Sequence, residues 1–247
     1  MTPNLIPRAA QLGALFAMLA MTVGCTTTQQ YAQTDFAPPA GDYRMVVMPL
    51  DVTVSKLTAG GLTEPNAEWT NTARERLLQA IENQQQSKGG AVDLISPEAC
   101  QDCNSPQMLD LVSLHNAVGQ SILLHKVAGV TLPTKKNTFD WTLGDSAVEY
   151  GAASGYDYAL FLFAENSFST GGRKALQVAG LASCLIGVCA VVDGGSQLAF
   201  ATLVDLNTGN VSWFNFLFSG LGDIRTAEGA DDMIDRLLGS MYVSPKT

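Results

Sequence analysis

The chain has 247 residues, 47% of them hydrophobic and 15% charged, a balance that supplies a folded core and excludes a disordered chain. Its 14 basic and 23 acidic residues give a formal net charge of −9, so nucleic acid phosphates would repel it and no nucleic acid is expected as a partner. The same acidity opposes attraction to anionic lipid headgroups, so membrane attachment needs another source.

Residues 1–24 read as an export signal. Arg8 supplies the positive start, Ala9–Ala20 the apolar middle, and Met21-Thr22-Val23-Gly24-Cys25 the small residues at a cut. A cysteine in that position resembles the lipobox of bacterial lipoproteins. The resemblance implies that the Cys25 thiol is acylated, with palmitate-type chains, and that Cys25 becomes the lipid-bearing amino terminus. Thr22 departs from the Leu, Val or Ile usual in that family. An uncleaved membrane anchor and a conventional signal cut nearby are the alternatives. Thr26, in place of Asp, is similar to the outer-membrane sorting pattern and implies the periplasmic face of that membrane. Residues 25–40 are polar, carry Pro38-Pro39 and read as a lipidated, flexible tether. Residues 41–247 then form a single α/β domain with an apolar insertion at 174–195.

Within that domain Arg44–Leu50 is an apolar run expected as a buried strand, followed by a polar loop over Asp51–Thr63. Pro65 suits a first helical turn, with Glu64 or Thr63 as cap, and Trp69, Ala73, Leu77, Ala80 and Ile81 fall at helical spacing. Ala91–Ile95 reads as a strand. Ser105-Pro106 starts a second helix with Met108, Leu111, Val112, His115, Val118 and Ile122 on one face. Ser146–Ser154 reads as a helix stopped by Gly155, and Tyr158–Ala164 as a buried strand. Gln197–Leu206 and Asn210–Phe218 read as an interior hairpin turned by Asn207-Thr208-Gly209. Thr226–Met241 closes the chain as an amphipathic helix with Ala230, Met233, Ile234, Leu237 and Leu238 inward. This order implies a mixed sheet covered by helices.

Besides Cys25 there are Cys100, Cys103, Cys184 and Cys189. An even count in an exported chain suggests disulfides, and pairing within each close pair is the simplest of three connectivities. Free thiols remain the competing reading for the second pair. Cys100-Gln101-Asp102-Cys103 lies between a strand and a helix, as a redox pair does. The helix starts after both cysteines, however, so its dipole would activate them little.

Val46–Leu50, Gly155–Phe161 and the hairpin Leu203–Trp213 together resemble the outer-membrane lipoproteins related to the curli-secretion pore, the Pel-type export lipoprotein and the amino-terminal domain of TolB. That resemblance rests on structural motifs and brings no catalytic residues. It implies a non-enzymatic role beside other envelope proteins, often as a homo-oligomer.

Ala175–Val192 carries no charge and would span about 27 Å as a helix, against roughly 30 Å for a bilayer core. A Cys184–Cys189 bridge excludes a continuous helix there, because residues five apart on a helix lie beyond disulfide reach. The bridge would set Leu185 and Ile186 at a loop tip, and the resemblance makes a membrane-contacting or subunit-contacting hairpin at 175–192 the specific version of a pore subunit. A plain apolar cover on the sheet is the alternative. Gly144-Asp145-Ser146 matches the start of an esterase nucleophile block, but His115 and His125 both precede it and no later histidine follows. A helix cap at Asp145 or Ser146 explains the same residues. The two histidines lie about 15 Å apart on one helix and cannot share a metal. No cofactor or metal is expected. The loop Thr58–Trp69, with Trp69 at its end, is the expected polar interaction surface, and a packing anchor for the helix explains Trp69 equally. The expected function is an accessory or scaffold subunit, with a periplasmic thiol-disulfide or hydrolytic enzyme as the alternative class.

Overall fold

Strand β1 (Thr26–Ala32) lies at one side of an eight-stranded mixed sheet whose spine is the twelve-residue strand β6 (Tyr158–Ser169). The computed structural model describes residues 26–39, 43–88, 92–94, 105–135, 138–183, 195–220 and 222–241. β7 (Gln197–Asp205) pairs antiparallel with β6, β8 (Asn210–Ser219) with β7, and β1 with β8. On the opposite side of β6 two strands follow in line and both run parallel to it: β2 (Met45–Val47) and then β3 (Asp51–Leu57). Val47 faces Leu160 and Asp51 faces Phe163, so the β2–β3 side carries one extra residue. Pro49, which has no N–H to give, lies in that step. β4 (Thr63–Pro65) pairs with β3, and β5 (Val92–Leu94) with β2.

Alternation along the strands separates two cores. Leu160, Leu162, Ala164, Ala199, Ala201, Leu203, Trp213 and Leu217 face helices α1 (Ala67–Lys88) and, at the far end of the chain, Ala227–Leu238. Ala159, Phe161, Phe200, Phe214 and Phe216 face helices α2 (Pro106–Ile122) and α3 (Asp145–Ser154). Helix α4 (Gly171–Ser183) follows β6, and Ala227–Leu238 is α5. The alanines on the first face allow two helices to lie close. The aromatics on the second demand a compensating gap, and Gly119 of α2 provides it: a Cβ there would sit 2.2 Å from the Phe200 ring. Each fully buried Leu or Phe stabilises the fold by about 1.5–3 kcal/mol.

Several expectations hold locally. Ser105 caps α2 by accepting from Met108 N, Gly155 ends α3 in the left-handed region, and Thr226 caps α5. The hairpin β7–β8 is interior, with β6 and β1 on either side. The five inward residues expected for α5 are all buried.

Others are corrected. The opening part of the tether is strand: Thr26–Ala32 pairs with β8 from Ser219 back to Trp213, and its β-branched and polar side chains suit a partly exposed edge. The polar loop expected from Asp51 is strand β3 as far as Leu57. Its Val52 and Val54 alternate inward, a period masked by the polar residues between them. Pro65 belongs to β4, and α1 is capped by Asn66, whose Oδ1 accepts from Trp69 N at 2.9 Å, rather than by Glu64 or Thr63. α3 is preceded by Gly144 at φ 63° with no side-chain cap, so neither Asp145 nor Ser146 caps it. In the segment 175–192 the described part, to Ser183, belongs to helix α4, and the rest of the expected hairpin lies outside the described residues.

Candidate interaction surface

Five strand ends meet at one end of the sheet. Leu57 faces Ser169, Asn166 faces Gln197, Gln197 faces Ser219, and Ser219 faces Thr26. Cys25 lies outside the described residues, but its bond to Thr26 keeps the two Cα atoms about 3.8 Å apart. The chain therefore enters the sheet one residue after the expected lipid site. Thr26 Oγ1 and Ser219 Oγ, at 3.0 Å, hold that first residue in register.

On the α1/α5 face this end carries a transverse polar row, Asn166–Gln197–Ser219–Thr26. Asn166 and Gln197 are buried, and neither the Asn166 amide nor Gln197 Nε2 has a hydrogen-bond partner. Beside the row lies a cavity of about 290 Å³ bordered by Lys174, Gln197, Asp223 and Arg225. Arg225 donates to both carboxylate oxygens of Asp223, at 2.8 and 2.6 Å, and this bond first of all holds the Asp223 carboxyl below its ordinary range. The same guanidinium lies 4.1 Å from the Trp69 ring centre and 4.3 Å from that of Phe168. Trp69, expected as an interaction residue, is thus half-buried and clasped: Arg225 and Lys56 cover it and Phe168 meets it edge-on. It anchors the start of α1 to β6 and to the loop before α5.

On the other face the surface is apolar. α2 continues into a π turn, Leu123–Val127, and a groove of about 380 Å³ opens between that turn and the sheet. Leu123, Leu124 and Val127 form one wall, and Leu198, Phe216 and Phe218 the other. Phe216 is buried at its base, whereas Leu124 and Phe218 are each 52% exposed and Val127 46%. Sequence reasoning missed this groove. The signal was present in Ile122-Leu123-Leu124 and Val127, whose apolar residues extend beyond the single face that α2 needs for its core. Leu62, at the turn into β4, is 69% exposed at the same end of the sheet.

The residues considered for chemistry are engaged in packing. His115 is enclosed, stacked 4.5 Å from Phe161, with Nε2 2.8 Å from Thr202 Oγ1 and Nδ1 3.2 Å from Asn116 Oδ1. Burial pushes its pKa down to about 3, which keeps the ring neutral. His125 Nδ1 donates to the Val130 carbonyl at 2.7 Å. Neither histidine is hydrogen-bonded to Asp145 or Ser146, which stand exposed at the start of α3. Cys100, Cys103, Cys184, Cys189, Leu185 and Ile186 lie outside the described residues. Among the described residues no cluster of His, Cys, Asp and Glu could hold a metal, and no helix is long and apolar enough to cross a membrane.

No family model and no curated protein matches the chain. Among solved structures it is similar to the PelC dodecamer from Paraburkholderia phytofirmans, at 13% identity and TM-score 0.41, over 90% of this chain and 100% of that one. A singly substituted form of that dodecamer, in another crystal form, gives 12% identity and the same TM-score, over 88% and 99% of the two chains. The C-terminal domain of LpoB from Salmonella enterica gives 14% identity and TM-score 0.26, over 74% and 84%.

Proposed function

We propose that the chain is a lipid-anchored, non-catalytic envelope protein. It acts at the periplasmic face of the outer membrane as an accessory or scaffold subunit of an assembly or export system. The observation that carries this reading is the entry of the chain into the sheet at Thr26, directly after Cys25. A lipid on Cys25 would tie the folded domain itself to the membrane at close range. The two imidazoles support the non-catalytic part, since His115 and His125 both hold structural contacts. The partners of the reading are the membrane, through Cys25, and other envelope proteins, with self-association into a homo-oligomer as one form of it.

Two measurements test the proposal. Metabolic labelling with palmitate should mark the wild-type protein and not Cys25→Ser, and only the wild type should fractionate with outer membranes. Co-purification from crosslinked outer membranes should then recover envelope proteins or further copies of the chain. A Cys25→Ser protein that stays in the membrane fraction would sink the anchoring half, and a turnover assigned to Ser146 or Cys100 would sink the other.

A further inference from the structure

We propose that the apolar groove between the π turn and β8 is a membrane-contact site, seated in the acyl region of the leaflet that holds the Cys25 lipid. The inference rests on the reading of Cys25 as lipidated and extends it, because a lipid anchor alone does not say which face of the domain meets the bilayer.

The position of the anchor decides the occupant. Thr27, two residues after Cys25, stands directly opposite Phe218 in the β1–β8 ladder, and Phe218 is opposite Leu198 in the β7–β8 ladder. Facing residues in such ladders have Cα atoms about 4.5–5.5 Å apart. The chain segment available between Cys25 and the groove wall is therefore two residues long. A lipid at Cys25 cannot enter a leaflet without bringing Phe218 to its surface.

The chemistry of that end fits a leaflet. The groove walls are Leu, Val and Phe, and exposed Leu62 lies on the same end of the sheet. Lys126 sits within the π turn between Leu124 and Val127, its carbonyl accepting from Tyr31 Oη. Arg173 and Lys174 begin α4, just beyond the end of β6 at Ser169. Acidic groups stand at the opposite end of the sheet: Asp157 precedes β6, Asp205 ends β7, and Asp145 and Glu149 lie on α3, which packs on Leu206 through Gly151. Asp223, held by Arg225, and exposed Glu165, opposite Leu198 in the β6–β7 ladder, stand at the anchor end as well, so it is the apolar walls and not a charge gradient that suit the leaflet. The groove adds apolar contact to the anchoring that the chains on Cys25 supply.

Photocrosslinking of the full lipoprotein in its own membranes tests the site. Benzoylphenylalanine is placed at position 124 or 218, and for comparison at 109, an exposed leucine near the start of α2. After irradiation, adducts are read by mass, together with the amino-terminal peptide. The expected result is phospholipid adducts at 124 and 218, at least tenfold more abundant than at 109, on a protein whose Cys25 carries lipid. A lipidated Cys25 without lipid adducts at 124 and 218 overturns the membrane-contact site alone. Adducts to a second copy or to another protein at those positions overturn it likewise and assign the groove to that partner. An unmodified Cys25 overturns both the site and the anchoring it rests on.

Discussion

Thr27 and Phe218 face each other across the β1–β8 ladder, which fixes the start of the chain against the rim of an apolar groove. A segment with the composition of a loose tether is thereby part of the sheet. The reason lies in β8, whose other neighbour, β7, leaves one edge of an almost wholly buried strand open. β1 closes that edge, and Gln30 Oε1 accepts from Trp213 Nε1 at 3.3 Å.

Removal of residues 26–32 therefore costs stability. Trp213, Phe214 and Leu217 would meet water along an unpaired edge, and the loss should exceed about 3 kcal/mol. Urea unfolding of the deletion variant checks this, and a midpoint equal to that of the full chain would restore the tether reading.

Gly119 has no side chain because Phe200 fills its place. Gly119→Ala would bring a Cβ within 2.2 Å of the ring, so the aromatic face must shift. Although alanine favours helix, overpacking should win and lower stability by about 1–3 kcal/mol. Thermal denaturation of the variant gives the sign; a gain would mean that the second core is slack.

His115 makes the fold sensitive to acid. Its pKa falls from 6.5 when unfolded to about 3 when folded, so between these values the unfolded chain binds the extra proton and stability drops as pH falls. By pH 4.5 the loss should reach about 3 kcal/mol relative to pH 7.5. Asp223, whose carboxyl is held low by Arg225, acts in the same direction at more acidic pH. His115→Gln, which keeps a polar group near Thr202, should flatten the slope between pH 7 and 4.5 whatever its effect at neutrality. An unchanged slope would remove His115 as the cause.

Arg225 joins the loop before α5 to the start of α1. Arg225→Ala would lose the flat contact with Trp69 and Phe168 together with the Asp223 pair, and should cost about 1 kcal/mol. Lysine at this position should recover little, because the planar guanidinium supplies both contacts. Chemical denaturation of the two variants separates stacking from charge.

Elements with strong periodicity were legible from the residues alone. β6, the β7–β8 hairpin and α5 follow from apolar runs, Asn207-Thr208-Gly209 and the helical spacing of Ala230, Met233, Ile234, Leu237 and Leu238, with no tertiary information needed. β1 and β3 were not, because their strand character depends on a neighbour: β1 is polar on most positions, and β3 alternates Asp, Thr and Ser with its valines. Trp69 stood out as either an interaction residue or a packing anchor, and its cover comes from Arg225, far along the chain, which no local pattern shows. The groove escaped notice for the same reason, because its walls come from α2's continuation and from two strands of the final hairpin.

The mass of the amino-terminal peptide from membrane-extracted protein tests the anchoring most directly. The expected peptide begins at Cys25 and carries diacylglyceryl on its sulfur, with Thr26 next in sequence. A peptide that retains residues before Cys25, or an unmodified Cys25, would contradict it.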